Sequence, residues 1–419
     1  MIDRILVRYG DLTLKGRNKK RFIDTAVQRV QEKMTSERIT LERAHDRLYV
    51  RLNGEDPAKV VRDLKTVSGL RSFSLVHKVE KDMDALKKGA LDLLQEEIDA
   101  PTTFKVETKR ADKSFPLTSP EISKEIAGHV IPRMSLLEAD VHNPAYTLNV
   151  EIRAEGAYLY CGKVEGLGGY PVGSMGKGLM LLSGGIDSAV AGFLSQRKGI
   201  ETEHIHFEST PMTPIESVDK AIELTERLAT YAKKNRILLH IFPLFSLHEA
   251  ILQNVPEPYH IAILRRMMVR VADNVASQRR IPVLITGESV GQVASQTLTS
   301  LHVTDHAATR PILRPLATYD KEEIIRIAER IKTFEISIRP YEDCCQVYVP
   351  KSPVTNPRDY YAKRYEGLFD YQGLIDEALR NMVTLTVGKK SGIRLSTSGF
   401  SVKEAVEEGG IPHDRFFAE

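Results

Sequence analysis

The opening stretch of the chain switches between two hydrophobic periods. Ile2–Arg8 alternates apolar and polar residues and predicts a strand, as does Leu48–Leu52, which stops at the turn pair Asn53-Gly54. Between them lie a loop, Tyr9 to Asn18, and a helix whose Phe22, Ala26, Val27, Val30 and Met34 share one face; a second helix is expected across Pro57–Lys65, ending near Gly69. This is the pattern of a small α+β module closing near residue 55 to 75. A second unit reaches to about residue 170, with strands expected at Thr103–Thr108, Tyr146–Arg153 and Ala157–Lys163 and a helix at Ser119–Ile131. The run from Gly166 to Gly178 holds six glycines and reads as an interdomain linker.

Beyond it strands and long helices alternate. Strands are expected at Leu179–Leu182, Ile200–Phe207, Ile237–Phe242 and Pro282–Thr286, and helices at Asp187–Arg197 (closed by Gly199), Glu216–Lys234 and His260–Gln278. Asp320 and Glu323 form a capping-box pair for a helix through Arg330. Such alternation predicts an α/β fold with a doubly wound parallel sheet. The stretch from about Leu385 to Glu419 is polar and contains glycine, and no role is assigned to it. No repeat of solenoid length and no low-complexity tract occurs.

Composition narrows the function classes. The 419 residues are too many for one core and suggest two to three domains, and 42% hydrophobic with 27% charged residues excludes wholesale disorder. With 59 Lys and Arg against 56 Asp and Glu, any nucleic-acid signal has to be local. Three cysteines, Cys161, Cys344 and Cys345, exclude a disulfide scaffold and fit a reducing compartment. The amino terminus lacks a run long enough for a signal peptide or a membrane span, so a cytoplasmic, multidomain protein without membrane contact is expected.

The sharpest chemical feature is Leu181-Leu182-Ser183-Gly184-Gly185-Ile186-Asp187-Ser188, set between the strand and helix that open the alternating region. In open α/β sheets ligands bind beyond the carboxyl ends of strands. Gly184 and Gly185 can take unusual backbone angles and let a ligand approach the main chain, Ser183 and Ser188 add hydroxyls, and the helix start offers amides to an anion. Asp187 is out of place in an anion site unless it binds Mg²⁺ or orients a reacting group. A kinase-type phosphate loop is excluded, because Gly176-Lys177 is followed by Gly178 rather than Ser or Thr.

At these residues the sequence resembles the PP-loop ATP pyrophosphatases, whose motif is SGGxDS. Arg8-Tyr-Gly-Asp-Leu-Thr-Leu-Lys-Gly-Arg-Asn, the stretch Phe104–Val130 and Thr286-Gly-Glu-Ser-Val-Gly-Gln-Val-Ala-Ser-Gln together resemble one family, the tRNA 4-thiouridine synthetases (ThiI sulfurtransferases). The resemblance spans roughly residues 1 to 380. It implies a ferredoxin-like domain over 1–60, a THUMP RNA-binding domain over 61–166, a linker over 167–177, a PP-loop catalytic domain over 178–385 and a tail over 386–419. It implies ATP against Leu181, Leu182, Ser183, Gly184, Gly185, Asp187 and Ser188, with His206, Phe207, Arg265, Gly287 and Gln296. Independent readings remain for some: His206 and Phe207 as sheet core, Arg265 or Arg266 as a solvated helix face. The sequence stops at Glu419 without the rhodanese-like domain of longer relatives, which resembles the shorter form of the family and leaves the route of sulfur open. Ala189 stands where many relatives have Pro, a preference of the first helical turn only.

The implied reaction uses Mg²⁺ and ATP to adenylate O4 of uridine 8 of tRNA, after which persulfide sulfur replaces the oxygen. By resemblance Cys344 matches the family's cysteine that pairs with the rhodanese persulfide cysteine in longer members, and it is expected to receive or resolve persulfide, with Cys345 able to close a disulfide; two buried small hydrophobes is the plainer reading. Cys161 reads as strand core. Two basic clusters are expected to face tRNA: Lys15, Arg17, Lys19, Lys20 and Arg21, and Lys105, Lys109, Arg110 and Lys113 beside Phe115. The expected persulfide donor is a cysteine desulfurase. A small sulfur-carrier protein for thiamine thiazole synthesis and a homodimer are left open as partners. Two other classes stay in view: a different PP-loop ligase or tRNA-modifying enzyme, and a non-catalytic tRNA-binding protein.

Overall fold

The computed structural model describes residues 2–44, 46–341, 344, 350–395 and 401–415. The chain divides into two compact units, Met1–Pro171 and Val172–Glu419. Among the described residues no helix is long and apolar enough to cross a membrane.

The first unit runs β1 (Arg4–Arg8), α1 (Lys19–Lys33), β2 (Thr40–Arg43), β3 (Arg47–Arg51), α2 (Pro57–Leu64), β4 (Ser72–Val79), α3 (Met83–Glu97), β5 (Thr102–Arg110), α4 (Ser119–Val130), β6 (Leu137–Ala139), β7 (Tyr146–Arg153), β8 (Gly156–Cys161) and β9 (Val164–Glu165). Its strands form one sheet in the order β2-β3-β1-β4-β8-β7-β5-β6, with β9 beside β4. Strand alternation sends Ile5, Val7, Leu48, Val50 and Phe73 to an apolar core under α1 and α2. Phe104, Leu148, Val150, Ile152 and Leu159 do the same under α3 and α4. The expected boundary at residue 60 does not hold. It falls inside α2, and β4 pairs with β1 through Ser72–Val76 and with β8 through His77–Val79, so a single strand serves both halves.

The opposite sheet face is curled. Tyr49 on β3 stacks on Tyr158 on β8 at 5.0 Å although two strands lie between them, a lateral path of about 14 Å on a flat sheet. Arg47 on β3 likewise reaches Glu151 on β7 at 2.5 Å. The concave face thus encloses Leu6, Tyr49, Val76, Tyr158 and Tyr160 together with the buried Arg4, Arg47 and Glu151.

The glycine run is tied down rather than loose. Within the first unit Gly168 donates to Leu70 and accepts from Gly69, and Gly166 donates to Arg71. Gly69 has φ +91°, and a Cβ there would lie 2.8 Å from Pro171. Within the second unit Gly173 and Met175 both donate to the carbonyl of Gly199, and Val172 is buried.

The second unit runs β10 (Lys177–Leu181), α5 (Ile186–Arg197), β11 (Glu201–Glu208), α6 (Glu216–Ala229), β12 (Arg236–Pro243), α7 (Phe245–Asn254), α8 (His260–Gln278), β13 (Leu284–Ile285), α9 (Leu298–Asp305), β14 (Ile312–Leu313), α10 (Lys321–Arg330), α11 (Phe334–Ser337), α12 (Asp359–Glu366), α13 (Tyr371–Asn381), β15 (Val383–Gly388), α14 (Val402–Glu408) and β16 (His413–Arg415). The sheet order is β14-β13-β10-β11-β12-β15-β16, parallel as far as β12. The chain winds outward from β10 to β12, returns and continues on the other side with β13 and β14. The switch therefore lies between β10 and β13, where doubly wound sheets bind ligands.

Three expectations change here. The sheet is not wholly parallel, because β15 and β16 join antiparallel at one edge. β16, α14 and the second half of β15 come from the segment read as a tail; Val383, Leu385 and Val387 alternate into a core with Leu239, Ile241, Val402 and Val406, so the stretch is part of the domain. Finally, α6 stops at Ala229 rather than Lys234, and Lys234 and Asn235 have φ of +54° and +53°, which no α-helix accommodates.

Candidate active site

Two loops leave the switch point side by side, one after β10 and one after β13. The first is Leu182–Gly185. Ser188, in the first turn of α5, braces it: its Oγ donates to the Ser183 carbonyl at 2.9 Å and accepts from the Ser183 amide at 3.1 Å, while the Gly185 amide donates to Ser183 Oγ at 3.2 Å. The expected special backbone angle is not found at Gly185, whose φ of −80° and ψ of 163° any residue adopts. A Cβ there would meet only Ser183 Oγ, at 3.3 Å; the missing side chain opens space in front of the amides of α5.

In the second loop the need for glycine is steric. A Cβ on Gly287 would lie 2.6 Å from the Ser188 nitrogen and 2.7 Å from the Asp187 carbonyl carbon, both main chain. Gly287 therefore lets the two loops touch. Its neighbour Glu288 is buried, accepts from Thr286 Oγ1 at 2.8 Å and from Arg314 Nε at 2.7 Å, and pairs with Arg265 on α8. Burial alone would raise the Glu288 pKa, but Arg265 and Arg314 outweigh it and hold the carboxyl below the usual range.

Between the loops lies a cavity of about 290 Å³. Of the residues expected to hold nucleotide, Leu181, Leu182, Ser183, Gly185, Asp187, Ser188, His206, Phe207, Arg265, Gly287 and Gln296 all line it, and Gly184 sits in the loop itself. His206 and Phe207 are at once sheet interior and cavity wall. His206 Nδ1 is bonded to the Leu182 carbonyl at 2.9 Å, and its Nε2 is buried without a hydrogen-bond partner. Phe207 packs edge-on against Phe242 at 5.7 Å. Arg265 Nε is also buried and unpartnered, although Glu288 holds the guanidinium. Arg266, by contrast, is no solvated helix face. It is 0% exposed and bonds both oxygens of Glu366, at 2.7 and 2.9 Å, which fixes α8 against α12.

Asp187 stands at the edge with both oxygens engaged, by Lys321 Nζ at 2.7 Å and Gln292 Nε2 at 2.9 Å. Sequence reasoning missed Lys321, Gln292 and Glu288. Glu288 lies inside the Thr286–Gln296 motif, but Lys321 reads only as the residue after a helix cap. Among the described residues no three His, Cys, Asp or Glu side chains gather to hold a metal ion. One carboxylate at an anion site still fits Mg²⁺, which binds through one or two carboxylates plus ligand phosphates. Cys344 lines the same cavity and is buried. Cys345 lies outside the described residues. Cys161 is half-buried on β8, where burial pushes its thiol up to about 12 and makes it a poor nucleophile.

The expected RNA contacts separate into exposed and committed groups. Arg17, Lys20, Arg21, Lys109 and Lys113 are exposed, and Lys19 is half-buried. Lys15 lies 4.1 Å from the Tyr170 ring centre, and Lys105 pairs with Glu107 at 3.6 Å. Arg110 stands apart in this set. Strand alternation turns it away from Lys105 and Lys109, and its guanidinium donates to the carbonyls of Phe115 and Leu117, pinning the loop before α4. Phe115 is buried in the core beneath.

Family models match in chain order: a ThiI ferredoxin-like domain over residues 4–74, a THUMP domain over 80–161 and the thiamine biosynthesis protein (ThiI) over 173–370. The chain is 46% identical over 406 residues to a probable tRNA sulfurtransferase of Acholeplasma laidlawii, covering 97% of this chain and 98% of that protein. Among solved structures, a 4-thiouridine synthetase in complex with RNA and with bound ATP is similar at 34% identity and a TM-score of 0.86, covering 92% of this chain and all of that one. A Pyrococcus horikoshii protein shares the fold at 21% identity and a TM-score of 0.60, over 79% of this chain and 99% of its own. With the loops and the cavity in place, and a relative matched almost end to end, this chain belongs to the tRNA sulfurtransferase family.

Proposed function

We propose that the protein is an ATP-dependent tRNA sulfurtransferase that converts a uridine, position 8 of tRNA, to 4-thiouridine. The observation that carries this is the meeting of a phosphate-type loop and a thiol in one cavity: Ser183–Ser188 and Cys344 share its walls. A small-molecule ligase has no use for the thiol, and a binding module has no use for the loop.

ATP lies with its phosphates toward the α5 amides, Arg265 and Lys321. A magnesium ion bound with the triphosphate would supply charge neutralisation for the departing pyrophosphate. Among the described residues Asp187 would share that cation, since Glu288, the other carboxylate of the cavity wall, is held by Arg265 and Arg314, and Lys321 would then turn from Asp187 to phosphate. Uracil O4 attacks the α-phosphorus, the bond to pyrophosphate breaks and the base loses its N3 proton, leaving C4 bonded to a good leaving group. The terminal sulfur of a donor cysteine persulfide, supplied by a cysteine desulfurase, attacks C4 and AMP departs. Cys344 thiolate then cleaves the resulting disulfide link, so the base keeps sulfur and the two cysteines share a disulfide that an external thiol reduces. Alternatively Cys344 first takes up the persulfide and Cys345 resolves it. Exposed Arg17, Lys20, Arg21, Lys109 and Lys113 bind RNA phosphates. A second reading, sulfur transfer to a small carrier protein for thiamine, is suggested by the likeness to the thiamine biosynthesis protein (ThiI) family and draws on Cys344 alone.

The test supplies tRNA, Mg·ATP and either sulfide or a desulfurase and reads near-ultraviolet absorbance of 4-thiouridine. Asp187→Ala is expected to slow thiolation by about a hundredfold or more with both sulfur sources. Cys344→Ser is expected to block only the desulfurase-dependent reaction. Pyrophosphate release that ignores tRNA would overturn the reading.

A further inference from the structure

A second cavity, of about 310 Å³, lies beside the first and shares Arg265 and Thr304 with it. Its other walls come mainly from Ile261 and Ala262 on α8, Ala294 and Ser295 in the loop after β13, and Val354. Among the described residues that line it Arg265 is the one charged side chain, which suits a flat, weakly polar group rather than a phosphate or a sugar. Arg265 also supplies an unmet donor, because Glu288 holds the guanidinium and leaves Nε buried without an acceptor. A carbonyl oxygen satisfies that donor. An amino group, as at C4 of cytosine, opposes it.

The rim is built for unstacked nucleotides. The Val354 amide donates to the Pro258 carbonyl at 3.0 Å and the Arg358 amide to the Tyr259 hydroxyl at 3.3 Å, joining this wall to α12. There Tyr259, Tyr361 and Tyr365 cluster, with Tyr361 and Tyr365 near parallel at 6.1 Å, and Tyr360 projects at 69% exposure. Lys351, Arg358, Lys363 and Arg364 are exposed along the same stretch, whose acidic residues are Asp359 and the buried Glu366, taken up by Arg266. Exposed aromatic rings among cations are how proteins hold splayed bases.

We infer that the second cavity seats the target uracil, turned out of the RNA, with O4 directed past Arg265 and Thr304 to the α-phosphate in the first cavity, while the α12 tyrosines stack on neighbouring nucleotides. This rests on the sulfurtransferase reading and adds to it where the base sits and why uracil is chosen over cytosine.

The test uses the unaltered enzyme first. 4-Thiouridine is itself a near-ultraviolet photocrosslinker, so the complex with tRNA already thiolated at the target position is irradiated and the attached peptides are identified by mass spectrometry. Crosslinks are expected within residues 258–265, 293–304 or 353–354; crosslinks confined to other segments overturn the proposal. In Ala262→Phe the new ring fills the cavity. Thiolation is expected to fall about a hundredfold with either sulfur source, while ATP and tRNA affinities change less than about threefold. Undiminished thiolation overturns the proposal, as does loss confined to the desulfurase-dependent reaction, which would give the cavity to the sulfur donor. Wild-type enzyme that forms no 4-thiouridine at all sinks the underlying reading instead, a result distinct from misplaced crosslinks on an active enzyme.

Discussion

Each half of this molecule buries a glutamate between two arginines and a hydroxyl. In the amino-terminal unit Glu151 accepts from Arg47 at 2.5 Å, Arg153 at 3.1 Å and the Tyr160 hydroxyl at 2.9 Å. In the carboxy-terminal unit Glu288 is held by Arg265, Arg314 and Thr286. Chemically the two clamps are near copies. They differ in what surrounds them. Glu151 is closed in by the curled sheet, and Arg47 spends its remaining donors on Asp46. Glu288 forms a cavity wall, and its partner Arg265 keeps an unmet Nε donor. A buried ion cluster that satisfies itself holds a fold together, and one with a donor left over is prepared for a ligand.

The largest expected effect comes from opening the closed clamp. Glu151→Ala leaves two arginines without their carboxylate in a sheet interior and should destabilise the amino-terminal unit by about 3–5 kcal/mol. Hydrogen exchange resolved by peptide would show loss of protection in β3, β7 and β8, with ATP giving no rescue. Glu288→Ala should cost less stability, about 1–2 kcal/mol, because Arg314 keeps Asp305 and Arg265 can reach cavity solvent. Its main effect should be a loss of ATP affinity. Equal stability losses with ATP binding intact would abolish the distinction between the clamps.

Next in size is Gly287→Ala. A methyl group 2.6 Å from main-chain nitrogen cannot be absorbed by a side-chain rotation, so one of the two loops has to move. ATP affinity should fall about a hundredfold while the amino-terminal unit still binds tRNA; equilibrium binding of each ligand separates the two.

This glycine also shows what was legible in the sequence. The Ser183–Ser188 loop stood out because its reason is local, a turn between a strand and a helix; Gly287 entered only through the resemblance of its motif, because the main chain it has to clear, at Asp187 and Ser188, is distant in sequence. Helix α8 was legible to the residue from its period. Lys321 was not, because its partner Asp187 lies 134 positions away and nothing in its own neighbourhood marks it. The Arg47–Glu151 clamp spans 104 positions and exists only because the sheet curls, which alternation along one strand does not reveal. The tail failed for a related reason. Val383–Gly388 alternates correctly, but its place in the sheet, between β12 and β16, is decided by pairing with the distant β12.

A smaller effect, but one that reads both clamps at once, is the response to acid. Burial alone would raise both glutamates; the arginines outweigh it and hold Glu151 and Glu288 below the ordinary 4.5. A carboxyl lowered on folding adds stability above its unfolded pKa and loses it as pH falls through the folded one. Both units should therefore weaken below about pH 4.5, the ordinary glutamate range. Glu288→Gln should flatten that acid limb in the carboxy-terminal unit alone, and Glu151→Gln in the other. Denaturant unfolding at stepped pH, followed by peptide-resolved exchange, measures it. An unchanged limb in both variants would mean that neither clamp is ionised as described.

The smallest effect extends the same contrast to the residues proposed to face RNA. Lys19 and Lys20 lie at the start of α1, with Lys20 exposed, whereas Arg110 is committed to the carbonyls of Phe115 and Leu117. Reversing both lysines to Glu should weaken tRNA binding and lower the slope of log affinity against log salt by about 2, close to one for each phosphate that is no longer neutralised. Lys109→Glu should lower it by about 1. Arg110→Ala should act differently. It leaves two carbonyls without their donor, costs about 1–3 kcal/mol locally, and loosens residues 111–118. Binding then falls through disorder of that loop, with a salt slope close to that of the unaltered protein. Should Arg110→Ala instead reduce the slope as much as Lys109→Glu, Arg110 touches phosphate directly, and its bonds to the two carbonyls give way when RNA binds.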